Sequence, residues 1–167
     1  LAHPRSNEAY RETLASCAEE LQQLAQTVGD LLYLAQAEAP GALPSREPVA
    51  LDEVVDSLLE FYDLLAEDRQ LTLRREGVAS VEGNRLMLHR AIANLLSNGL
   101  KHAAVGSDVR VRLVEADGVC RVSVHNVGTP ISAEALPRLF DRFYRGERGR
   151  HEGAGLGLAI TRAIAQA

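Results

Sequence analysis

Two glycine-containing turns, separated by a segment rich in arginine, constrain this chain more than any other feature of its sequence. The first glycine turn is Asn126-Val127-Gly128-Thr129-Pro130-Ile131, and the second is Gly153-Ala154-Gly155-Leu156-Gly157. Upstream of both lies an amide segment, Asn94-Leu-Leu-Ser-Asn98-Gly-Leu-Lys101-His102. A helix with amide side chains, a glycine turn, a polar loop and a second glycine turn that opens a helix are the parts needed to hold Mg²⁺ and a nucleotide.

The amide segment combines residue types that suit a metal ion and a phosphate. Asn94 and Asn98 are four residues apart, so on a helix they share one face, with Lys101 and His102 beside them. An amide oxygen is a neutral, hard ligand of the kind that Mg²⁺ accepts, and a lysine provides a point charge for a phosphate. Taken alone, this spacing also fits a solvated polar stripe on a surface helix.

The second glycine turn suits phosphate groups because its three glycines let the backbone approach a ligand closely. It also opens a helix, whose first N–H groups bind anions readily. The turn does not follow the dinucleotide pattern G-x-G-x-x-G, since Leu158 occupies the last glycine position, and it lacks the Gly-Lys-Ser/Thr of a Walker A loop. The first glycine turn, taken alone, also fits an ordinary turn at the end of a strand.

The segment between the two turns contains three of the seven Phe and Tyr residues of the chain, Phe140, Phe143 and Tyr144. We expect these aromatic side chains to anchor one end of a flexible lid, which is compatible with packing in the core. Four arginines follow closely, Arg142, Arg145, Arg148 and Arg150. Arginine runs are usually solvated loops, but we predict that Arg145 or Arg148 contacts a phosphate when the lid closes.

The N-terminal segment repeats its apolar residues with alternating spacings of four and three. The repeat runs through Tyr10, Leu14, Cys17, Leu21, Leu24, Val28, Leu31 and Ala35. This is the a/d seam of a coiled coil or four-helix bundle. We expect the helix to be capped by Ser6 or Asn7 and to end at Pro40-Gly41. We expect such an apolar seam to pack against a partner helix. The alternative is that it packs back on its own domain.

Short strands and amphipathic helices alternate in the rest of the chain. We expect strands at residues 48–51, 70–75 and 78–81, and a helix from Asn84 to about Ala103. Asp52 is predicted to cap an earlier helix, with one face formed by Val55, Leu58, Leu59, Tyr62 and Leu65. Two further strands, around 109–113 and 120–124, are joined by a hairpin turn at Asp117-Gly118. The pattern predicts an α+β fold, an α/β sandwich with helices on one face of the sheet.

Composition argues against several other classes of protein. The net charge of −5 is unfavourable for general nucleic-acid binding, which relies on a basic surface. No run of about 18 apolar residues exists, so we expect no membrane contact by this chain. Cys17 and Cys120 are far apart and form no CxxC pair, so reduced thiols are expected rather than a metal cluster or a disulfide framework.

The four motifs, in this order and spacing, resemble the N, G1, F and G2 boxes in the ATP-binding domain of sensor histidine kinases. Residues 124–131 and 136–145 are most similar to the heavy-metal sensor group, and the resemblance extends from about Ser6 to the end of the chain. It implies the histidine-kinase/Hsp90-like ATP-binding fold, preceded by a long heptad helix. It also implies three parts: a partial dimerisation helix (1–39), a linker (40–47) and an ATP-binding catalytic domain (48–167).

The resemblance implies roles for individual residues. Asn98 would hold Mg²⁺ and, together with Lys101, would form the catalytic pair. The implied nucleotide-binding residues are Asn94, Asn98, Lys101, His102, Asn126, Gly128, Ile131, Phe140, Arg145, Gly153, Gly155, Leu156 and Gly157. Asn126 replaces the family aspartate that accepts a hydrogen bond from adenine, and Pro130 replaces a glycine; heavy-metal sensor kinases share both departures. An amide oxygen also accepts that bond, without a charge.

The resemblance also implies a reaction and its partners. Related ATPases such as gyrase, the Hsp90 chaperones and the MutL repair proteins place a glutamate, the general base, where this chain has Asn94. An asparagine takes no proton, which favours phosphoryl transfer to a protein over hydrolysis. The implied protein is a histidine kinase with ATP and Mg²⁺ as cofactors and a response regulator receiver domain as partner. It would form a homodimer through the heptad helix, in the cytoplasmic portion of an inner-membrane sensor protein.

One family motif is missing from the sequence. None of the five histidines lies in the pattern His-Glu-x-x-x-Pro that contains the phosphorylated histidine of the family. The chain starts at Leu1 and stops inside a predicted helix, so we expect a fragment, truncated at its C-terminus, that binds ATP but does not autophosphorylate. Two alternatives are a catalytically silent nucleotide-binding and dimerisation module, and an unstable or swapped fold without a usable pocket.

Overall fold

Helices and strands follow one another along the chain in the mixed order predicted from the sequence. The computed structural model describes residues 7–37, 46–145 and 154–167. Its elements, in chain order, are α1 (Asn7–Ala37), β1 (Glu47–Ala50), α2 (Leu51–Asp68), β2 (Thr72–Glu76), β3 (Ser80–Gly83), α3 (Arg85–His102), β4 (Asp108–Ala116), β5 (Val119–Asn126), a short 3₁₀ helix (Leu136–Arg138) and α4 (Gly157–Gln166).

The main sheet has three strands in the order β2-β4-β5, with β2 parallel to β4 and β4 antiparallel to β5. Along β4, Val109, Val111 and Leu113 are buried and alternate with more exposed residues, so the core lies on one face of the sheet. Helices α2 and α3 pack on that face. β1 and β3 form a separate antiparallel pair. The predicted α/β sandwich, with helices on one face of the sheet, is confirmed.

Helix α3 begins where the sequence indicated. Asn84 is its N-cap, and its side-chain oxygen accepts a hydrogen bond from the backbone N–H of Met87 at 3.1 Å. Ile92 and Leu96 are buried against the sheet. Gly99 lies so close to the strands that a Cβ there would be 3.1 Å from Val124 Cγ1. A small residue at this position therefore sets how closely α3 approaches the sheet.

Two predictions about helix α2 are wrong. Asp52 does not cap it, because the chain passes from β1 directly into the helix and Ala50 occupies the N-cap position. The Asp52 carboxylate lies in the first turn, where it is favoured by the positive end of the helix dipole. Leu65 was expected on the inner face but is 49% exposed, because the helix turns Ala66 toward the core instead.

The strands after α2 start about two residues later than predicted. Gln70 has a left-handed backbone conformation, with φ of 56°, and it ends the helix rather than starting β2. The hairpin between β4 and β5 is confirmed: Asp117 and Gly118 both have positive φ, 53° and 72°, as a type I′ turn requires.

Helix α1 forms as one element of 31 residues, and part of it lies against α4. Its apolar seam is exposed in this chain: Tyr10, Leu14, Leu21, Leu24 and Val28 are between 52% and 69% accessible. The predicted cap at Ser6, the stop at Pro40-Gly41 and most of the linker lie outside the described residues, and nothing is described of the Leu31 and Ala35 side chains. Among the described residues, none of the helices contains an apolar stretch of the length that a membrane span requires.

Candidate functional site

The amide segment and the second glycine turn, which are far apart in the sequence, meet where α3 packs against α4. The side-chain Nδ2 of Asn94 donates a hydrogen bond to the carbonyl oxygen of Gly157, the first residue of α4, at 3.1 Å. The hydroxyl of Thr161 lies 3.0 Å from that same oxygen and 3.4 Å from the carbonyl oxygen of Ala91 on α3. We call these contacts the α3–α4 latch. Thr161 was not identified from the sequence, because no local pattern distinguishes it.

Asn98 lies one helical turn after Asn94 on the same face of α3, and it is half-buried. Whereas the Asn94 amide is engaged by Gly157, the Asn98 amide has no hydrogen-bond partner among residues 7–37, 46–145 and 154–167. A half-buried amide without an internal partner is suited to an external ligand, because burying it unpaired costs free energy. The two asparagines thus occupy different environments.

The second glycine turn depends on its glycines. Gly155 has a φ of 71°, and a Cβ there would lie 2.8 Å from the carbonyl oxygen of Tyr144. The Gly155 carbonyl accepts a hydrogen bond from the backbone N–H of Phe143 at 3.0 Å. Leu156 is 1% exposed and anchors the turn in a small core with Ile160. Gly153, the remaining predicted glycine, lies outside the described residues.

The start of α4 presents backbone N–H groups. In the described part of the chain no side-chain hydrogen bond caps its N-terminus at Leu156. The first N–H groups of a helix have no partner within the helix, and they carry the positive end of its dipole. This end of α4 is therefore a suitable anion site, beside the half-buried Asn98 face of α3.

The first glycine turn packs on the C-terminal end of α3. Gly128 forms an isolated β-bridge with Ala103, and the N–H of Ala104 donates to the carbonyl oxygen of Val127 at 2.7 Å. A Cβ at Gly128 would lie 2.0 Å from the carbonyl oxygen of His102. The structure thus places this turn against the residues that the sequence grouped with Asn98. Asn126, at the end of β5, is half-buried.

Three basic residues meet at the end of α3. Lys101 is half-buried, and His102 is more exposed but still partly covered by the chain. Partial burial, and then the charges of Lys101 and Arg69, lower the pKa of His102 below its ordinary value. Arg69, the residue after α2, donates to the carbonyl oxygens of Leu100 at 2.5 Å and Ala103 at 3.4 Å. Sequence reasoning missed Arg69, because its partners are more than 30 residues away.

The aromatic residues of the arginine-rich segment lie largely at the surface. Phe140 is 43% exposed and Phe143 is 57% exposed, so neither is a core residue. Phe143 is held by its backbone, with φ of 62° and the hydrogen bond to Gly155, and the Arg138 guanidinium stacks 4.6 Å from the ring centre of Tyr144. Arg145 is exposed, as is Ile131, and Arg148 and Arg150 lie outside the described residues. Nucleotide contacts of Phe140, Ile131 and Arg145 stay predictions.

A concave surface lies away from α3 and α4, between α2 and β2. It is an open groove lined by Asp56, Glu60 and Asp63, together with Leu59 and Leu73. Three carboxylates would repel the phosphates of a nucleotide. The chemistry therefore favours the junction of α3, α4 and the first glycine turn as the functional site.

Comparison with known proteins agrees with this choice. Residues 83–167, which include α3, both glycine turns and α4, match the family model described as "Histidine kinase-, DNA gyrase B-, and HSP90-like ATPase". The sensor histidine kinase CusS of Escherichia coli (strain K12) is 43% identical over 168 residues, which cover 98% of this chain and 35% of CusS. The chain thus spans about a third of the length of the curated relatives it matches.

Solved structures share the fold. Full-length ShkA in complex with AMPPNP superposes with a TM-score of 0.79 at 23% identity, covering 98% of this chain and 35% of ShkA. The histidine kinase ThkA in complex with the response regulator protein TrrA superposes with a TM-score of 0.74 at 20% identity, covering 97% of this chain and 46% of ThkA.

Proposed function

The chain belongs to the histidine kinase-, DNA gyrase B- and HSP90-like ATPase family and, within it, to the heavy-metal group of sensor histidine kinases, and we propose that it donates the γ-phosphate of ATP to a histidine outside this sequence. It has the ATP-binding fold of that family. The observation that supports the proposal best is the difference between the two amides of α3: Asn94 is engaged by Gly157, whereas Asn98, among the residues described, is available to a ligand.

Asn98 fits Mg²⁺, because its neutral amide oxygen is a hard ligand that lacks an internal partner in the described chain. When bound, the metal would neutralise charge on the transferring phosphate. The N–H groups at the start of α4 bind phosphate oxygens, and Lys101 adds a positive charge. The amide oxygen of Asn126 accepts a hydrogen bond from the adenine amino group.

Asn94 favours transfer over hydrolysis. Its amide is too weakly basic to accept a proton at neutral pH, so it has no role as a general base for water, and its Nδ2 already donates to the Gly157 carbonyl. A neutral imidazole acceptor needs no such base, since its unprotonated nitrogen has a lone pair. The nitrogen–phosphorus bond forms as the bond between the γ-phosphorus and the bridging oxygen breaks, and ADP leaves. The protein positions the groups and balances their charge.

We also propose where the acceptor histidine and the sensor lie and which protein is the partner. We place the phosphorylated histidine on a preceding hairpin helix that would pair with α1, whose exposed seam from Tyr10 to Val28 supports a homodimer. The phosphate then passes to a response regulator. Metal sensing and the membrane anchor would lie in other segments of a full-length protein.

The first prediction concerns the separation of the ATP-binding site from the acceptor histidine. Incubated with Mg²⁺ and radiolabelled ATP, the chain is expected to bind nucleotide but to gain no acid-labile phosphate, because none of its five histidines lies in His-Glu-x-x-x-Pro. Addition of a separately produced hairpin with that motif, from a close relative, should give labelled hairpin. Stable acid-labile phosphate on the chain alone would contradict the proposal. Release of inorganic phosphate without labelled hairpin would point to an ATPase instead.

A second prediction tests the α3–α4 latch. Asn94→Asp replaces the donating amide with an oxygen that repels the Gly157 carbonyl, so we expect a loss of about 1–3 kcal/mol of stability and weaker binding of Mg²⁺–ADP. Urea denaturation and calorimetric titration measure the two effects. Asn84→Asp is the matched control, because at the N-cap of α3 the side-chain oxygen accepts a bond and aspartate caps equally well. Equal behaviour of the two variants would show that the latch has no energetic role.

A further inference from the structure

Arg69 joins the end of α2 to the end of α3. Its side chain is half-buried, and its two terminal nitrogens donate to the carbonyl oxygens of Leu100 and Ala103. The last carbonyls of a helix have no partner within the helix, and they carry the negative end of its dipole. A guanidinium supplies both hydrogen-bond donors for these carbonyls and a positive charge for this end of the dipole, because it is permanently charged and presents several donors in a fixed plane.

The end of α3 that Arg69 holds is the part of the helix that faces the proposed nucleotide. Lys101 and His102 lie in its last turn. The next two residues make backbone contacts with the first glycine turn: Ala103 forms a bridge with Gly128, and the N–H of Ala104 donates to Val127. One short stretch of backbone thus determines where two basic side chains and the adenine-binding turn lie.

We infer that Arg69 is a positioning residue of the nucleotide site, which acts by fixing the C-terminal end of α3 so that Lys101, His102 and the first glycine turn stay in register. This inference rests on the proposed nucleotide-binding function. Arg69 itself contacts no nucleotide in this scheme. Its effect passes through the carbonyl oxygens of Leu100 and Ala103.

The electrostatics of the site provide a local reporter for this role. The pKa of His102 lies below its ordinary value, first because of partial burial and then because of the charges of Lys101 and Arg69. Loss of the Arg69 charge therefore shifts the His102 pKa upward, toward the ordinary value. A residue with a purely structural role at a distance would not produce this shift.

Three variants separate the contributions of Arg69. Arg69→Met removes both the charge and the hydrogen bonds. Arg69→Lys retains the charge but loses the planar fork that reaches two carbonyls. Arg74→Met is the matched control, since Arg74 is on the exposed face of β2, with 58% of its side chain accessible, and forms an ion pair with Asp108 at 3.5 Å.

Calorimetric titration of Mg²⁺–ADP and proton NMR titration of the His102 ring measure the outcome. We expect Arg69→Met to bind Mg²⁺–ADP roughly 10-fold more weakly and to raise the His102 pKa. Arg69→Lys should retain the low pKa and recover part of the affinity, to within roughly 3-fold of the parent chain. Arg74→Met should change neither. Hydrogen exchange at the Ala104 amide should become faster in Arg69→Met, because that N–H bonds the first glycine turn.

Several results would overturn the inference. Full affinity in an Arg69→Met variant that circular dichroism shows to be folded is one such result. Another is an Arg69→Lys variant that matches Arg69→Met in every measurement, because the retained charge would then have no role. If Arg69→Met does not fold, Arg69→Lys is compared with the parent chain alone. Unchanged nucleotide affinity together with unchanged hydrogen exchange at Ala104 would then contradict the inference. If the parent chain binds no Mg²⁺–ADP, the proposed function fails. The His102 titration and the Ala104 exchange still decide whether Arg69 fixes the end of α3.

Discussion

Replacement of Asn98 by alanine is expected to abolish magnesium-dependent nucleotide binding. In the described chain its amide has no internal partner, and it lies one turn from the latch that brings the start of α4 against α3. Loss of groups that only support a metal ligand costs up to about 100-fold in affinity, so loss of the ligand itself should cost at least that much, or about 3 kcal/mol. Calorimetric titration of Mg²⁺–ADP measures the loss directly.

The controls for Asn98→Ala separate binding from stability. Asn84→Ala removes an amide from the same helix and should cost about 1 kcal/mol of stability through the lost N-cap, with no change in affinity. The parent chain in the absence of Mg²⁺ should bind as weakly as Asn98→Ala does. If Asn98→Ala binds ADP with undiminished dependence on Mg²⁺, the metal has another ligand and the assignment is wrong. If no variant binds nucleotide, the alternative of a fold without a usable pocket becomes the better hypothesis.

The fold could be predicted wherever the sequence signal was local. The start of α3 near Asn84, the strand around residues 109–113 and the Asp117-Gly118 hairpin were each predicted from neighbouring residues, and all three are confirmed. The start of α2 could not be predicted, because a strand runs into it without a loop and Ala50 takes the N-cap position. Gln70 ends that helix in a left-handed conformation, which nothing in the composition of residues 70–75 indicates.

The sequence named residues for the candidate site but not the contacts that those residues make in the fold. The family resemblance grouped Asn94 with the second glycine turn, yet only the structure brings Asn94 to the carbonyl of a residue 63 positions away. The same limit explains Thr161 and Arg69, whose partners lie 70 and 31 residues away in the sequence. Contacts of this kind depend on how α3 packs against α4 and α2. That packing cannot be predicted from the types of the side chains alone. The structure thus adds two contacts of α3 near the candidate site, from Thr161 on α4 and from Arg69 after α2.

The largest loss of stability is expected from Gly128→Ala, at about 2–4 kcal/mol. The added Cβ would lie 2.0 Å from the carbonyl oxygen of His102 and 3.2 Å from its carbonyl carbon. Both are backbone atoms, so no side-chain rotation relieves the overlap, and the first glycine turn must move away from α3. That movement breaks the hydrogen bond between Ala104 and Val127, and it displaces Asn126 at the end of β5. Weaker Mg²⁺–ADP binding should accompany the lower stability.

Gly106→Ala distinguishes this overlap from ordinary backbone strain. Gly106 lies in the loop that follows α3 and has a φ of 78°, but a Cβ there meets nothing within 4 Å. Alanine at this position should cost only the penalty of a left-handed conformation, about 1 kcal/mol, and nucleotide affinity should be retained. Urea denaturation of both variants, with calorimetry on each, gives the comparison. Equal losses in the two variants would mean that the first glycine turn is not packed against α3 in solution, and the close contact between Gly128 and the His102 carbonyl would have to be abandoned.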